Sequence, residues 1–185
     1  MKLHLYNRHA IAKVGVRHPG ATVLDLTSRG PDPWVRFSPF YPHGGVPIPF
    51  TEGLTGMSVE GIWQGLKVFE TADVDPSKFT IATMKGLKRT VQRLGRCLGH
   101  RAGPQGERLL GYREARRAIY LPTYRWVLHH RLQTELAELR RLAGLGELVL
   151  LDYETNADPD DLSRPLSHVG LVIHHLRGTW PSGQD

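Results

Sequence analysis

The sequence lacks most of the features that would assign it at once to a membrane, secreted or nucleotide-binding class. Its 185 residues include one cysteine, Cys97, which excludes an internal disulfide framework and is typical of a reducing compartment. No apolar run approaches the roughly 18 residues that a membrane span needs, and the start MKLHLYNRHA has no apolar region like that of a signal peptide. Neither a GxGxxG fingerprint nor a P-loop occurs. We therefore expect a cytoplasmic, globular protein without a membrane partner.

Metal-ligating patterns are also scarce. The histidine pairs at 129–130 and 174–175 are adjacent on predicted helices, so their side chains point about 100° apart. The acidic loop at 158–161 lacks the glycine and the terminal glutamate of an EF-hand. We expect neither a metal nor a cofactor from these patterns.

The charge, by contrast, is strongly uneven. The net charge is +6, and the segment 84–101 carries only basic charges, whereas the acids gather in 152–161. A basic face of this kind favours phosphate groups, whether in a nucleic acid or in a nucleotide-like ligand. The alternative is an ordinary solvated helix surface.

The pattern of elements predicts an α+β fold, predominantly helical, in a single domain 1–185 with a small N-terminal β-sheet. Residues 1–36 contain the strand-like pieces KLHLY and ATVLDLT. Residues 37–56 form a loop rich in proline and aromatics, 57–178 a helical core, and 179–185 a tail. A loop of ~20 residues inside a compact domain is uncommon and is often functional.

Within the helical core the boundaries follow from caps and breakers. The predicted elements are a helix after Ser58, a helical stretch over 75–98, a long helix from Pro122 to about Arg141, a strand at 147–152 and a last helix from Pro165 to Gly178.

The helix SVEGIWQGLKVFE places three polar residues in one row. At 100° per residue, Gln64 lies about 40° from Glu60, and Lys67 about 20° to its other side. The apolar residues, which point to the opposite side, are Val59, Ile62, Trp63, Leu66 and Phe69. Spacing alone allows two interpretations: the row is solvated surface, or the loop 37–56 folds over it as a pocket wall.

An acid and an amine in such a pocket have a definite chemistry. Burial raises the pKa of a carboxyl and lowers that of an amine, while their mutual attraction does the reverse. An amine with a lowered pKa attacks sugar or carbonyl carbons, and a carboxyl group moves protons at a glycosidic bond.

The stretches FSPFYP (37–42) and SVEGIWQGLKVF (58–69) together resemble the paired signature of the NADAR superfamily. The tripeptide LGR (94–96) is similar to a further short motif of that family, and ELVLLD (147–152) stands where its last strand lies. The similarity covers roughly 36–178. It implies a NADAR-like fold and hydrolysis of N-glycosidic bonds, because one branch removes ADP-ribose from guanine in nucleic acid and another cleaves an early riboflavin-pathway intermediate.

The resemblance also implies roles for individual residues. Glu60 and Lys67 match the catalytic glutamate and the essential lysine, and Asp152 is the candidate for the acidic residue near the end of the domain. The predicted substrate-binding residues of the loop, the helix and the LGR motif are Ser38, Phe40, Tyr41, Gln64 and Arg96. Arg96, with Lys88 or Arg89, would bind a pyrophosphate.

Three departures from the family pattern accompany these matches. Pro39 replaces the motif asparagine, Gly61 stands where histidine is usual, and the terminal Asp…Trp-Gly signature is absent. Near the last helix, Asn156 and His168 are predicted either to bind phosphate or simply to cap the helix.

Three functions stay open at this point. The first is an N-glycosidase (an ADP-ribosylhydrolase-like enzyme) acting on ADP-ribosylated guanine in DNA or another nucleic acid, paired in function with an ADP-ribosyltransferase toxin. The second is an ADP-ribose- or nucleotide-binding module without turnover. The third is a glycosidase of a ribosylamino intermediate of riboflavin synthesis.

Overall fold

Three small sheets and a larger helical content make up the chain, which a computed structural model describes for residues 1–181. Helix accounts for 40% of residues and strand for 16%, so the predicted α+β class is confirmed. Of the predicted tail 179–185, residues 182–185 lie outside the described residues. Two compact units can be distinguished: one combines residues 1–38 with the chain from Leu132 onwards, and the other is Pro39–Arg131.

The elements are short and alternate along the chain. The strands are β1 Leu3–Asn7, β2 Thr22–Asp25, β3 Val46–Pro47, β4 Thr55–Gly56, β5 Lys67–Phe69, β6 Cys97–Arg101, β7 Leu109–Leu110 and β8 Leu148–Asp152. The α-helices are α1 Ile11–Arg17, α2 Val59–Gly65, α3 Val91–Leu94, α4 Tyr112–Ala115, α5 Leu121–Arg131, α6 Gln133–Leu145 and α7 His168–Arg177. A π-helical segment, Arg116–Tyr120, joins α4 to α5.

The first unit is built on a parallel sheet in the order β1-β8-β2. All five residues of the central strand β8 are buried, as expected for a parallel strand that is covered on both faces. Leu148 faces both Leu3 and Thr22, so the three strands start level with one another. Their carboxyl ends therefore meet at one edge, where Asn7 lies opposite Asp152.

The second unit contains two antiparallel sheets, β3-β4 and β5-β6-β7. Lys67 on β5 lies opposite His100 on β6. All seven residues of α2 are buried, including its two polar ones, Glu60 and Gln64. The helix packs against the 3-10 turn Pro76–Thr80 and against the π-helical segment.

The predicted start of α2 is confirmed and its predicted end is wrong. The Ser58 hydroxyl accepts a hydrogen bond from the Gly61 backbone N–H at 3.0 Å, which is N-capping geometry. The helix ends at Gly65 because residues 67–69 pair with β6. Lys67 is therefore a strand residue, and the segment predicted as a helical core also contains four strands.

The other helix boundaries shift for identifiable reasons. The helical stretch predicted over 75–98 is wrong: Gly86 and Gly95 have positive φ values of 74° and 78°, which interrupt it. The predicted long helix divides at Leu132, where φ and ψ of −124° and 21° leave the helical region. The last helix begins after Ser167, which caps it, and ends as predicted at Gly178.

Among residues 1–181, no helix combines the length and the apolar character that crossing a bilayer would require.

We predict that alanine substitutions at two helical glycines change stability in opposite directions. A Cβ at Gly61 would stand 2.6 Å from the Lys78 carbonyl oxygen, so Gly61→Ala should cost about 1–3 kcal/mol through overpacking. Gly144, inside α6, has no heavy atom within 4 Å of such a Cβ, and Gly144→Ala should add about 0.5–1 kcal/mol through helix propensity. Urea unfolding of both variants measures the difference. Equal effects at the two positions would contradict the packing of α2 against residue 78.

Candidate active site

The carboxyl group of Glu60 is buried at the point where the proline-rich loop meets α2. The Glu60 backbone N–H donates to the Pro39 carbonyl oxygen at 2.8 Å, so the loop is attached to the first turn of the helix. Glu60 is 8% exposed and Gln64 is 5% exposed. The interpretation of this row as solvated surface is therefore wrong for both residues, and the hydrogen bond to Pro39 places the loop against the start of the helix.

Gln64 fixes the position of the Glu60 carboxyl group. Its side-chain nitrogen donates to Glu60 Oε1 at 2.8 Å, and its side-chain oxygen accepts from the Arg89 backbone N–H at 3.1 Å. Because both ends of the amide are bonded, its orientation is determined. The hydrogen bond from the Gln64 side-chain nitrogen to Glu60 Oε1 is therefore fixed in direction by the backbone of Arg89.

Arg89 holds the backbone around these residues together. Its guanidinium donates to the carbonyl oxygens of Gln64 at 3.3 Å, Lys67 at 2.7 Å and Asp73 at 2.7 Å. The group also lies 4.9 Å from the centre of the Phe69 ring. Arg89 is therefore a structural clamp on the turn between α2 and β5, and three of its five N–H donors are bonded to backbone carbonyl oxygens.

Glu60 and Lys67 influence each other's pKa. Burial raises the pKa of Glu60, and it outweighs the Gln64 hydrogen bond and the charges of Lys67 and Lys88, which act in the other direction. Burial also lowers the pKa of Lys67, against the attraction of Glu60, and the charges of Arg89 and Lys88 lower it further. The two groups are thus brought closer to neutrality, the condition under which a carboxyl group donates a proton and an amine attacks carbon.

His100 belongs to this site although no sequence pattern indicated it. The residue is 1% exposed, lies opposite Lys67 across the β5–β6 pair, and has its ring centre 3.8 Å from that of Trp63. Neither ring nitrogen has a hydrogen-bond partner among residues 1–181. Burial, aided by the Lys67 charge, lowers the pKa of His100 to about 3, so the ring is neutral near pH 7 and offers one donor and one acceptor.

A basic cleft of about 440 Å³ lies in the same unit. Its cationic lining residues are Lys78, Lys88, Arg89 and Arg93, with Asp73 and Asp75 beside them. Glu60 and Lys67 are not among its lining residues. The cleft is linked to them through Lys88, whose charge acts on both groups, and through Arg89, which donates to the Lys67 carbonyl oxygen. Its size is in the range of small-molecule sites.

The remaining predicted loop and motif residues occupy different surroundings. The Phe40 ring lies 5.7 Å from the Lys88 ammonium group, and half-buried Tyr41 lies 4.8 Å from the ring of His43. Arg96 is exposed and pairs with the Glu70 carboxylate at 3.5 Å. Ser38 is 2% exposed and belongs to the first unit.

Asp152 lies in the first unit, at the end of β8, in a hydrogen-bonded group at the start of α7. Its Oδ2 accepts from the Ser167 hydroxyl at 2.6 Å and the Val169 backbone N–H at 3.2 Å, and lies 3.1 Å from His168 Nδ1. His168 Nε2 lies 3.0 Å from the Leu26 carbonyl oxygen. Because a carboxylate and a carbonyl only accept, both ring nitrogens are placed as donors, which favours the charged form of the imidazole.

Asn156 organises the acidic loop that precedes α7. Its side-chain nitrogen donates to the carbonyl oxygens of Asp161 at 2.9 Å and Arg164 at 3.2 Å, and its side-chain oxygen accepts from the Asp158 backbone N–H at 3.0 Å. Two roles were predicted for Asn156 and His168: binding of phosphate and capping of the last helix. These contacts favour a structural role at the start of that helix. The structure therefore brings Glu60, Gln64 and Lys67 together in one unit and Asp152, Asn156 and His168 in the other.

We predict that the Asp152–His168 pair makes stability depend on pH. Burial by itself would lower the pKa of His168, but the charge and hydrogen bond of Asp152 outweigh it and raise this pKa above its ordinary value of 6.5. For Asp152, burial by itself would raise the pKa. The charge of His168 and the hydrogen bonds from His168, Ser167 and Val169 outweigh it and bring this pKa below 3.8. The contribution of His168 to the free energy of unfolding is therefore complete below pH 6.5 and is lost as the pH rises through the pKa of His168 in the folded protein. The contribution of Asp152 is lost as the pH falls through the pKa of Asp152 in the folded protein.

Urea unfolding of His168→Gln and the wild-type protein tests this dependence. The stability lost in the variant should be larger at about pH 5.5 than at about pH 9. His9→Gln, which alters an exposed histidine of the same unit, serves as the control and should not reproduce the difference. A loss that is the same at both pH values would contradict a charged His168.

We also predict that Glu60 holds up the pKa of Lys67. The pH dependence of Lys67 acetylation, followed by mass spectrometry of its peptide, should give a midpoint below the ordinary value of 10.5. In Glu60→Gln the midpoint should fall further, because the attraction that opposes burial is removed. Glu52→Gln, at an exposed acid of the same unit, should leave it unchanged. A midpoint in Glu60→Gln equal to that of the wild-type protein would show that the two groups do not interact, and a rise would contradict the attraction.

Comparison with known proteins gives a family but no activity. The model of a family of unknown function, DUF6939, matches residues 6–172. No curated protein and no solved structure matches the chain. The match spans both units and includes both the acid–amine pair and the Asp152 group. The chain therefore belongs to the DUF6939 family.

Proposed function

We propose that this chain is an N-glycosidase that removes ADP-ribose from modified guanine in nucleic acid or nucleotides. The observation that carries the proposal is the pair formed by buried Glu60 and half-buried Lys67, in which burial raises the pKa of the acid and lowers that of the amine. The resemblance of the 37–42 and 58–69 stretches to the NADAR superfamily, in which the equivalent residues cleave N-glycosidic bonds, supports the same chemistry.

In the first step, the neutral amine of Lys67 attacks C1′ of the ribose. A bond forms between Lys67 Nζ and C1′, and the bond between C1′ and the guanine nitrogen breaks. The electron pair of that bond leaves with the base, which takes a proton from the Glu60 carboxyl group. The raised pKa of Glu60 keeps this proton available at a pH where an ordinary glutamate has lost it.

In the second step, the sugar is released as free ADP-ribose. After the attack Lys67 Nζ is positively charged, and it first gives one proton to the Glu60 carboxylate. The C1′–O4′ bond then opens: the nitrogen lone pair forms a protonated Schiff base between Lys67 and C1′, and the electron pair of the broken bond stays on O4′, which takes the proton from Glu60. Water, which gives up a proton to the Glu60 carboxylate, adds to C1′. Collapse of this adduct breaks the C–N bond and restores the Lys67 amine.

Two further features support a substrate with phosphate groups and an exchangeable proton. The cations of the cleft provide charge-assisted hydrogen bonds for a pyrophosphate, and Arg93 in particular is exposed there. Arg89 also lines the cleft, where three of its five N–H donors are bonded to backbone carbonyl oxygens. The neutral ring of His100, with both nitrogens open, offers a donor and an acceptor to the ribose hydroxyls or the leaving base.

We predict that the protein releases free ADP-ribose and unmodified oligonucleotide from an oligonucleotide carrying ADP-ribose on guanine. Lys67→Ala should reduce release to background, and Glu60→Gln should reduce the rate about 10²–10⁴-fold, because proton transfer is lost. Lys85→Ala, which removes an exposed charge of the same basic segment outside the cleft, is the matched control and should retain full activity. Chromatography with mass spectrometry detects both products.

Reduction with borohydride during turnover identifies the intermediate. The ribosyl adduct should be trapped on the peptide that contains Lys67 and should be absent in Lys67→Ala. Full activity of Lys67→Ala would overturn the proposal. Binding of ADP-ribose without release would instead support a binding module, and trapping only with a ribosylamino pyrimidine would support the riboflavin-pathway alternative.

A further inference from the structure

Three donor groups that are distant in sequence meet beside the parallel sheet of the first unit. They are His4 on β1, His18 immediately after α1, and Glu147 immediately before β8. One ligand atom from each lies within 4.8 Å of the other two. Glu147 Oε2 is 2.9 Å from His18 Nδ1 and 3.7 Å from His4 Nε2.

The backbone places these groups together through strand pairing and a helix end. Leu148 N–H donates to the Lys2 carbonyl oxygen and Thr22 N–H to the Glu147 carbonyl oxygen, both at 3.0 Å, which fixes residue 147 between its two neighbours. The His18 N–H donates to the Val14 carbonyl oxygen at 2.8 Å and closes α1. The cluster therefore rests on ordered secondary structure rather than on a free loop.

The hydrogen bonds of the cluster are complete for His18 and incomplete for His4. His18 Nδ1 faces Glu147, and His18 Nε2 lies 2.9 Å from the Tyr6 hydroxyl. His4 Nε2 is buried and has no hydrogen-bond partner among residues 1–181. A buried polar atom without a partner costs free energy, and a ligand placed between the three groups would remove that cost.

We propose that His4, His18 and Glu147 form a binding site for a divalent transition-metal ion of the Zn²⁺ class. Two imidazole nitrogens and one carboxylate oxygen are a common donor set for zinc, which leaves a fourth position for water. In a tetrahedral site with bonds of about 2.0–2.1 Å, ligand atoms lie about 3.3 Å apart. The two measured separations, 2.9 and 3.7 Å, lie on either side of that value.

Tyr6 completes the site from outside. When His18 Nδ1 binds a metal, its Nε2 carries the proton and donates to an oxygen, and the Tyr6 hydroxyl is in position to accept it. Such outer contacts fix the orientation of ligating histidines. No second element has to move to supply this contact.

One charge opposes a cation at this position. The Lys2 ammonium group lies 3.4 Å from Glu147 Oε1, and its side chain is 75% exposed. Because the lysine is held only at the surface, it can turn away into solvent when a metal binds. Removal of the Lys2 charge should therefore strengthen metal binding, whereas substitution of a metal ligand should weaken it.

Calorimetric titration of the EDTA-treated full chain with ZnCl₂ tests the proposal. We expect binding of one ion per chain, weakened at least about tenfold in His4→Gln and in Glu147→Gln, which each remove one ligand. Lys2→Gln should tighten binding, and His9→Gln, at an exposed histidine outside the cluster, should leave it unchanged. Titration with Co²⁺ should give visible absorption of a tetrahedral nitrogen–oxygen site in the wild-type protein and not in His4→Gln.

Two results would overturn the site. One is the absence of saturable Zn²⁺ binding to the folded wild-type chain. The other is binding that His4→Gln, Glu147→Gln and Lys2→Gln leave unchanged, because the ion would then be held by other histidines. Circular dichroism confirms that each variant is folded; since Lys2 is exposed, its variant keeps the test valid if a ligand variant fails to fold.

Discussion

The second unit depends on the burial of the Glu60 carboxyl group, which interacts electrostatically with the Lys67 amine. Taking either group out of water costs several kcal/mol when it is charged, and removing one partner would leave the other uncompensated. The surrounding chain is arranged around this constraint. Gln64 supplies the donor that Glu60 requires, and Arg89 holds the carbonyl oxygens of Gln64 and Lys67.

The helix that carries Glu60 is held on all sides, which is what a defined acid–amine distance requires. Ser58 caps its first turn, and the Pro39 carbonyl accepts the Glu60 N–H, so the helix start and the loop fix each other. A Cβ at Gly61 would meet the Lys78 carbonyl, and one at Gly65 would stand 2.3 Å from the Phe79 ring. Neither position has room for a side chain, so α2 lies directly against the turn at 76–80.

Local signals in the sequence predicted local structure, and pairing over long distances decided the rest. The cap at Ser58, the strand at 147–152 and the stop at Gly178 depend on neighbouring residues, and all three were predictable. The strand conformation of Lys67 depends on β6, some thirty residues later, and helical periodicity gave the wrong element. His100 had no local signal because its role follows from lying opposite Lys67 in that strand pair. Glu60, Gln64 and Lys67 still meet, since a turn after Gly65 keeps Lys67 within electrostatic range of Glu60.

Completeness of hydrogen bonding separates the polar groups that hold the fold from those with capacity for a ligand. Asp152 and His168 are as deeply buried as Glu60, but their acceptors and donors are matched within the first unit, which explains why they anchor α7. His100 and His4 instead have buried ring nitrogens without a partner among the described residues. Each lies beside a basic or acidic group that a ligand would also contact: Lys67 for His100, and Glu147 for His4. These unmatched nitrogens next to charged side chains are the features on which the proposed sugar-phosphate site in one unit and the proposed metal site in the other both depend.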